Sequence, residues 1–222
     1  MKSITGKNWL RVILHPSSLI LCCALAAGAA SAQQYPGRPI RFLVGVAPGG
    51  GTGFVSRVIA QNLTDKWGQP VVTDNRTGAT GLIAFATTAS AVPDGHTCII
   101  FNIGHLMAAA LARNPGFDSV RDFAPVSLIA TGTLMLAVHS SVPASNVADF
   151  VKYARAQSGK LNYASGGNAG VQHLAMELLK REAKINLTHV PFKGGGLGTV
   201  ALVSGEVQAS ITNVLSLHPD IK

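Results

Sequence analysis

The chain has 222 residues, of which 47% are hydrophobic and 13% charged, and a formal net charge of +8. This apolar content is enough for a packed core in one large domain or two small lobes, and it excludes a disordered chain. The basic residues are scattered, without a stripe or interleaved aromatic residues, so we expect no nucleic-acid partner.

The N-terminus has the pattern of a secretory signal. Three basic residues precede an apolar run over 19–27, and the small residues Ala30-Ser31-Ala32 follow. We therefore predict a signal peptide over 1–32, cleaved after Ala32. The apolar run is shorter than the roughly 20 residues that span a bilayer, so an uncleaved anchor is the weaker alternative and no membrane span is expected after cleavage.

Removing the predicted signal changes the charge and the cysteine content. The remaining 15 basic and 10 acidic residues leave a net charge of +5, which suits a small anionic ligand. Cys98 is then the sole cysteine, so an intrachain disulfide cannot form. Because Cys98 lies in an apolar run, we expect a buried structural thiol rather than a nucleophile.

The first elements of the mature chain are a strand, a glycine loop and a helix. Large aliphatic residues run almost continuously over 40–46 and predict a buried strand. The glycine-rich segment 47–52 follows directly. Apolar residues at helical spacing then predict a helix over 53–66.

The same alternation continues through the first half. Val71-Val72 and 98–101 are predicted strands, and the small residues over 78–91 predict a helix between them. Strands that alternate with helices indicate a mostly parallel sheet. Two further predicted strands, 126–130 and 134–138, lead into a second lobe. We therefore expect a first α/β lobe over 33–132 and a second over 133–222.

The second half repeats the pattern, and its clearest element is a helix whose apolar residues recur at i, i+3, i+4, i+7 and i+8 from Val171. Asn146 can cap the helix before it. The predicted order is a helix from Asn146 to about Gln157, a strand over 161–164, a glycine loop over 165–170, the helix from Val171, a strand over 187–191, a glycine cluster over 193–196, a helix, and a strand over 207–211.

Three of these strands thus run into a glycine-rich loop that opens a helix. This arrangement directs unpaired backbone N–H groups and the positive end of the helix at whatever lies above the sheet edge. A carboxylate or a phosphate suits such a place, and glycine lets it approach the backbone amides. Three loops of this kind in one chain predict a binding site for a small anion.

Other chemistries have less support. Gly49-Gly50-Gly51-Thr52-Gly53 fits neither of the two common nucleotide-binding glycine motifs, so no nucleotide cofactor is expected. His173 and Glu177 are four residues apart, but the H-E-x-x-H arrangement is absent, and we assign no metal. Ser165 follows a strand without the G-x-S-x-G motif. An exported hydrolase that uses Ser165 with a base such as His173 is therefore an alternative, not the main hypothesis.

Many short motifs in fixed order carry a family resemblance across the whole mature chain. Among them are Pro48-Gly49-Gly50-Gly51-Thr52, Gly68-Gln69-Pro70-Val71-Val72, Pro93-Asp94-Gly95-His96-Thr97, Gly159-Lys160-Leu161-Asn162-Tyr163-Ala164-Ser165 and His189-Val190-Pro191-Phe192-Lys193-Gly194. The sequence resembles the Bug (TctC-like) family of periplasmic solute receptors, which serve tripartite tricarboxylate transporters.

The resemblance implies a type II periplasmic-binding-protein fold, in which two α/β lobes close around a carboxylated ligand. It also implies a non-enzymatic, monomeric receptor that delivers its ligand to membrane permease subunits, with no cofactor. The binding residues that it implies are Pro48, Gly49, Gly50, Gly51, Thr52, Gly53, Asn102, Gly104, His105, Ser165, Gly166, Gly167, Asn168, Ala169, Gly170, Phe192, Lys193, Gly194 and Gly195.

The sequence departs from the family pattern in three respects. Gly53 and Ala201 stand where the family usually has Asp, and the first of these positions bears on the choice of ligand. The family pattern also continues for roughly another hundred residues, about a domain's worth of structure. The resemblance therefore implies a truncated receptor with an incomplete second lobe, and a non-functional receptor fragment is a further alternative.

Overall fold

The computed structural model describes residues 35–217, so the predicted signal peptide lies outside the described residues. Backbone contacts divide the chain into one unit that ends at Gly37 and a second that begins at Arg38. In the first unit, the Tyr35–Pro36 peptide bond is cis. All the helices and strands of the described residues belong to the second unit.

Strands and helices alternate along the second unit. They are β1 (Ile40–Val44), α1 (Gly51–Trp67), β2 (Val71–Asn75), a 3-10 turn (Ala79–Gly81), α2 (Leu82–Ala89), β3 (Thr97–Ile100), α3 (Ile103–Leu111), β4 (Leu134–Val138), α4 (Val147–Ala156), β5 (Asn162–Ser165), α5 (Val171–Ala183), β6 (Thr188–Pro191), α6 (Gly195–Val203), β7 (Ala209–Asn213) and α7 (Val214–Leu217).

The first sheet has three parallel strands in the order β2-β1-β3. Its central strand, β1, is the continuous aliphatic run of the sequence, and Leu43 and Val44 are fully buried. Helix α1 packs Ala60 and Ile59 into the same core cluster. A parallel strand covered on both faces needs apolar side chains at successive positions, which explains this composition.

The second sheet has four strands in the order β4-β7-β5-β6. Strands β5, β6 and β7 are parallel, and β4 pairs with β7 in antiparallel register. Phe150 of α4, Tyr163 of β5 and Met176 of α5 are buried in its main core cluster. The residues of α5 that pack in this cluster are Met176, Leu179 and Ala183, so the predicted apolar face is covered only in part, and Leu178 is 52% exposed.

Three local predictions differ from the structure. Residues 126–130 are not a strand, and Val126 and Leu128 are 89% and 81% exposed. An extended segment becomes a strand only when a neighbour pairs with its backbone, and no described strand pairs with these residues. The predicted helix over 78–91 begins with a 3-10 turn and is α-helical only over Leu82–Ala89, while α3 was not predicted.

The helices within residues 35–217 do not have the character of membrane spans. None of them is both long and apolar enough to cross a bilayer.

Candidate functional site

The predicted glycine loops meet around one cavity of about 940 Å³. Its walls come from the loops that follow β1, β3, β5 and β6, from the end of β7 and from the extended segment 127–134. The lining thus combines residues of both sheets. The predicted site residues that line it are Gly50, Gly51, Thr52, Asn102, Gly104, His105, Gly166, Gly170 and Gly195.

The other predicted site residues lie in the same loops but outside the cavity lining. Gly53 is buried in α1, and a Cβ atom there would lie 3.4 Å from Nη1 of Arg57. Lys193 contributes its carbonyl oxygen, which accepts a hydrogen bond from the backbone N–H of Ala47. The residues outside the lining are Pro48, Gly49, Gly53, Ser165, Gly167, Asn168, Ala169, Phe192, Lys193 and Gly194.

Three helices begin at this cavity without a side-chain cap. The N-cap residues of α1, α5 and α6 are Gly50, Gly170 and Gly194, and none of them makes a side-chain capping hydrogen bond. The first turn of a helix leaves backbone N–H groups without helical partners and carries a partial positive charge. Three such ends at one cavity direct backbone N–H groups and partial positive charge into it, an environment that suits an anionic group.

Helix α3 begins at the same cavity in a different way. The side-chain oxygen of Asn102 accepts a hydrogen bond from the N–H of Gly104 at 2.9 Å, and Nδ1 of His105 accepts one from the N–H of Asn102 at 3.2 Å. This reciprocal capping satisfies the end of α3 within the protein. Asn102 and His105 therefore shape the cavity wall through their caps.

The glycines allow the loops to pack closely against one another. A Cβ atom at Gly166 would lie 2.9 Å from the backbone nitrogen of Gly195, and one at Gly104 would lie 2.7 Å from that of Val171. Real side chains do not tolerate such separations. The sequence argument assigned Gly166 to ligand approach, and the structure adds that Gly166 lets two loops of the second sheet meet, while Gly104 lets the backbones of the two sheets meet.

Polar contacts join the loops of the two sheets. The N–H of Ala47 donates to the carbonyl oxygen of Lys193 at 3.0 Å. The hydroxyl of Thr80 donates to the carbonyl oxygen of Asn168 at 2.8 Å. These bonds connect the first glycine loop and the 3-10 turn with the two glycine loops of the second sheet.

The structure also identifies cavity residues that sequence reasoning missed, notably Thr80, Gln172 and Asn213. Oε1 of Gln172 accepts a hydrogen bond from the N–H of Gly166 at 2.7 Å, and its Nε2 donates to the Thr212 hydroxyl at 3.0 Å. Gln172 therefore holds the second glycine loop against β7. Its place in the first turn after that loop is the only sequence signal that points to it.

The cavity lining has no side chain with a permanent charge. Among its described residues there is no Asp, Glu, Lys or Arg, and His105 is the sole histidine. Burial lowers the pKa of His105 and outweighs the opposite effect of the Asn102 carbonyl oxygen, which lies 3.3 Å from Nδ1. His105 is therefore neutral at pH 7, so backbone N–H groups and helix ends are what the cavity offers an anion.

A histidine pair lies beneath the second glycine loop. Oγ of Ser165 is 2.6 Å from Nε2 of His189, while Nδ1 of His173 accepts a hydrogen bond from the N–H of Ala169 at 3.0 Å. The base within reach of Ser165 is therefore His189, not His173 as the hydrolase alternative assumed. Ser165 is 1% exposed and its hydroxyl also bonds Gly167, so a substrate carbonyl cannot reach Oγ.

Metal and thiol chemistry have little to build on in residues 35–217. That part of the chain holds no group of three or more His, Cys, Asp or Glu that could bind a metal ion. Cys98, predicted to be buried, is only partly so because it lies on β3 at the edge of the first sheet. Burial still raises the pKa of its thiol, which disfavours the reactive thiolate.

Comparison with known proteins gives consistent matches. Residues 55–222 match the sequence pattern of the tripartite tricarboxylate transporter family receptors. A UPF0065 protein of Bordetella pertussis is 34% identical over 217 residues, which are 94% of this chain and 66% of that protein.

Solved structures agree with the sequence comparison. The R. palustris Rpa4515 structure with adipate has a TM-score of 0.81 and 35% identity, over 83% of this chain and 62% of that one. The structure of MatC from Rhodopseudomonas palustris with bound malate has a TM-score of 0.78 and 32% identity, over 83% of this chain and 63% of that one.

These matches confirm the predicted α/β periplasmic-binding-protein fold and the resemblance to TctC-like receptors. The chain spans slightly under two thirds of the length of the proteins that it matches. Because the family pattern covers residues 55–222 and the fold agrees with it, the chain belongs to the tripartite tricarboxylate transporter receptor family.

Proposed function

We propose that this protein is an exported receptor that binds a small carboxylate in its cavity and delivers it to a tripartite tricarboxylate-type permease. The observation that carries the proposal is the convergence of three uncapped helix N-termini on one cavity without charged side chains. A carboxylate would accept hydrogen bonds from their backbone N–H groups.

The adipate and malate of two related structures support this ligand class. Both are small dicarboxylates, and a mild positive charge of the mature chain favours their approach. The proposal includes export by the N-terminal segment with cleavage after Ala32, a monomer in the periplasm, and two lobes over 33–132 and 133–222. The chain would act as a binding protein without turnover.

A charge placed in the cavity tests the proposal. Gln172→Glu keeps the oxygen that accepts the Gly166 N–H but adds a negative charge to the lining. Isothermal titration with adipate and with malate should show that this variant binds at least about tenfold more weakly than the parent protein, since like charges a few ångströms apart repel strongly in a partly buried site.

Gln208→Glu is the matched control. Gln208 also bonds a backbone N–H through Oε1, that of Asn162, but it lies outside the cavity lining. The control should bind as the parent does. If the parent protein bound neither acid at millimolar concentration, or if both variants lost affinity equally, a carboxylate site in this cavity would be ruled out.

A further inference from the structure

The second sheet carries a stacked group of rings that the binding proposal does not use. The imidazoles of His173 on α5 and His189 on β6 lie 4.0 Å apart, with an interplanar angle of 12°. The Tyr163 ring also stacks with His189, at 4.9 Å, and its centroid lies 6.5 Å from that of His173. This group lies directly under the glycine loop 165–170, two residues of which line the cavity.

Each imidazole is bonded to that loop. Nδ1 of His173 accepts the N–H of Ala169 at 3.0 Å, and Nε2 of His189 is 2.6 Å from Oγ of Ser165. The Ser165 oxygen in turn accepts the N–H of Gly167 at 3.2 Å. The loop is therefore fastened at its start by one ring and near its end by the other.

The Ala169 bond fixes the protonation state of His173. A backbone N–H can donate only to a ring nitrogen that carries no hydrogen, so His173 must be neutral with its hydrogen on Nε2. A proton on Nδ1 would point at the Ala169 N–H and break the bond. The backbone there is also in the left-handed region, with φ of +59° at Ala169, which costs free energy unless neighbouring contacts hold it.

The surroundings also disfavour a charged pair. Two protonated rings 4.0 Å apart would repel, and burial, followed by the charge of His173, lowers the pKa of His189 to about 4. The other titratable groups that face the pair are Tyr163 on β5 and Glu177 and Lys180 on α5. The carboxylate of Glu177 favours a protonated ring, but it already accepts from Lys180 and Tyr163, each at 2.6 Å.

We propose that His173 and His189 are positioning residues for the 165–170 loop, which they hold in its binding conformation only while Nδ1 of His173 carries no proton. This rests on the proposed carboxylate-binding function, because the loop forms part of that cavity. Acidification breaks the Ala169 bond, releases the loop from its support and weakens ligand binding.

Solution NMR of the whole protein from pH 8 to pH 4 tests the positioning role without any ligand. The Ala169 amide signal should shift with the same midpoint as the His173 ring. Its protection from hydrogen exchange, corrected for the intrinsic pH dependence, should fall at least about fivefold at the acid end, the loss expected for one hydrogen bond. An Ala169 amide that did not follow either ring would overturn the proposal.

A pair of substitutions separates positioning from simple packing. His173→Asn offers an oxygen close to the place of Nδ1 but cannot be protonated, whereas His173→Ala removes the acceptor. His173→Asn should keep Ala169 protected at pH 8 and abolish its titration, and His173→Ala should leave it unprotected at every pH. If the two variants behaved alike, the histidine would only fill space.

His139→Gln serves as the control, because His139 follows β4 at the end of the sheet away from Asn213 and the cavity. Adipate and malate affinities are then measured at pH 7.5 and pH 5 in the parent and in His173→Asn. Protonation of the acid itself affects both proteins equally, so it drops out of the comparison between them. The parent should lose at least about fivefold more affinity than the variant. Equal losses would contradict a role of the pair in binding.

The two proposals fail in different ways. Titration of Ala169 with the rings, but without binding of either acid at any pH, would support the positioning role and refute the carboxylate function. Binding of an acid with no titration of Ala169 would refute the positioning role alone. The wild-type NMR experiment needs no substitution, so it decides the question even if a variant does not fold.

Discussion

Gly196 faces the backbone of Gly49 so closely that a Cβ atom at residue 196 would lie 2.6 Å from the carbonyl carbon of Gly49 and 2.8 Å from the nitrogen of Gly50. Backbone lies on both sides of this contact, so no side chain can rotate away to make room. The first glycine loop and the start of α6 therefore meet only because residue 196 has no side chain.

Gly196→Ala should separate these two segments although alanine favours a helix. We expect a loss of about 1–3 kcal/mol in the free energy of unfolding, typical of overpacking in a closely packed region, and weaker binding of adipate or malate. Urea unfolding and titration measure both. Gly132→Ala is the control for stability, since a Cβ atom there would have nothing within 4 Å. If Gly196→Ala had the stability and the affinity of the parent protein, the two segments would be able to move apart at little cost.

The hydroxyl of Thr80 should stabilise the closed arrangement of the loops. It donates to the carbonyl oxygen of Asn168 at 2.8 Å across the two halves of the cavity. Thr80→Val removes the donor and keeps the shape, so ligand should dissociate about fivefold faster, the effect of one ordinary hydrogen bond. Stopped-flow release of adipate measures the rate.

Thr80→Ser keeps the hydroxyl and should restore slow release. Residue 80 has φ of +54°, a conformation that is unfavourable for both threonine and valine, so backbone strain is matched in the main comparison. Equal rates for the serine and valine variants would show that this bond does not hold the cavity closed.

Periodicity predicted the elements whose environment is local to the sequence. The aliphatic run at β1 predicts a buried strand and the apolar spacing from Val171 predicts a helix, and the structure has both elements. The buried residue of α5 is Met176, however, while Leu178 of the predicted apolar face is 52% exposed. The run 126–130 looked equally like a strand, but hydrogen bonding to a neighbour decides strand formation, and that neighbour is not encoded in the run itself. Sequence reasoning also missed α3, although Asn102 supplies a recognisable cap for it.

The site was predictable only in part for the same reason. Glycine loops after strands are visible in the sequence, and several of their residues line the cavity. Gln172 and the His173–His189 pair belong to the site through contacts between residues far apart in the chain, as in the bond from His189 to Ser165. The spacing of His173 and Glu177 suggested a shared helix face, but the partners of that face are on β5 and β6.

The Tyr163 hydroxyl should contribute measurably to stability. It donates to Glu177 at 2.6 Å from a fully buried ring, and burial together with Glu177 raises the pKa of this phenol. Tyr163→Phe should lower the free energy of unfolding by about 1.5–3 kcal/mol, the range for a hydrogen bond to a charged group. Urea unfolding measures this loss, and Tyr153→Phe on α4 is the control. If both variants lost the same free energy of unfolding, the hydrogen bond to Glu177 would have no special role.

The stability of the whole protein should also fall as the pH is lowered, with a contribution that belongs to His189. Its pKa is held at about 4, by burial and then by His173, whereas an unfolded histidine titrates near 6.5. Between these values the unfolded chain binds a proton that the folded chain does not, so the free energy of unfolding decreases as the pH falls from about 6.5 to about 4.

His189→Gln should flatten this part of the profile, while His139→Gln should leave it in place. The carboxylates act at lower pH. The hydrogen bond from Arg41 outweighs the effect of burial and lowers the pKa of Asp74. The contribution of Asp74 to stability is therefore lost only below the ordinary carboxyl range near 4. Urea titrations at half-unit steps from pH 8 to pH 3.5 separate the two regions. A His189→Gln profile parallel to that of the parent between pH 6.5 and pH 4 would mean that His189 is protonated as readily in the folded protein as in the unfolded chain.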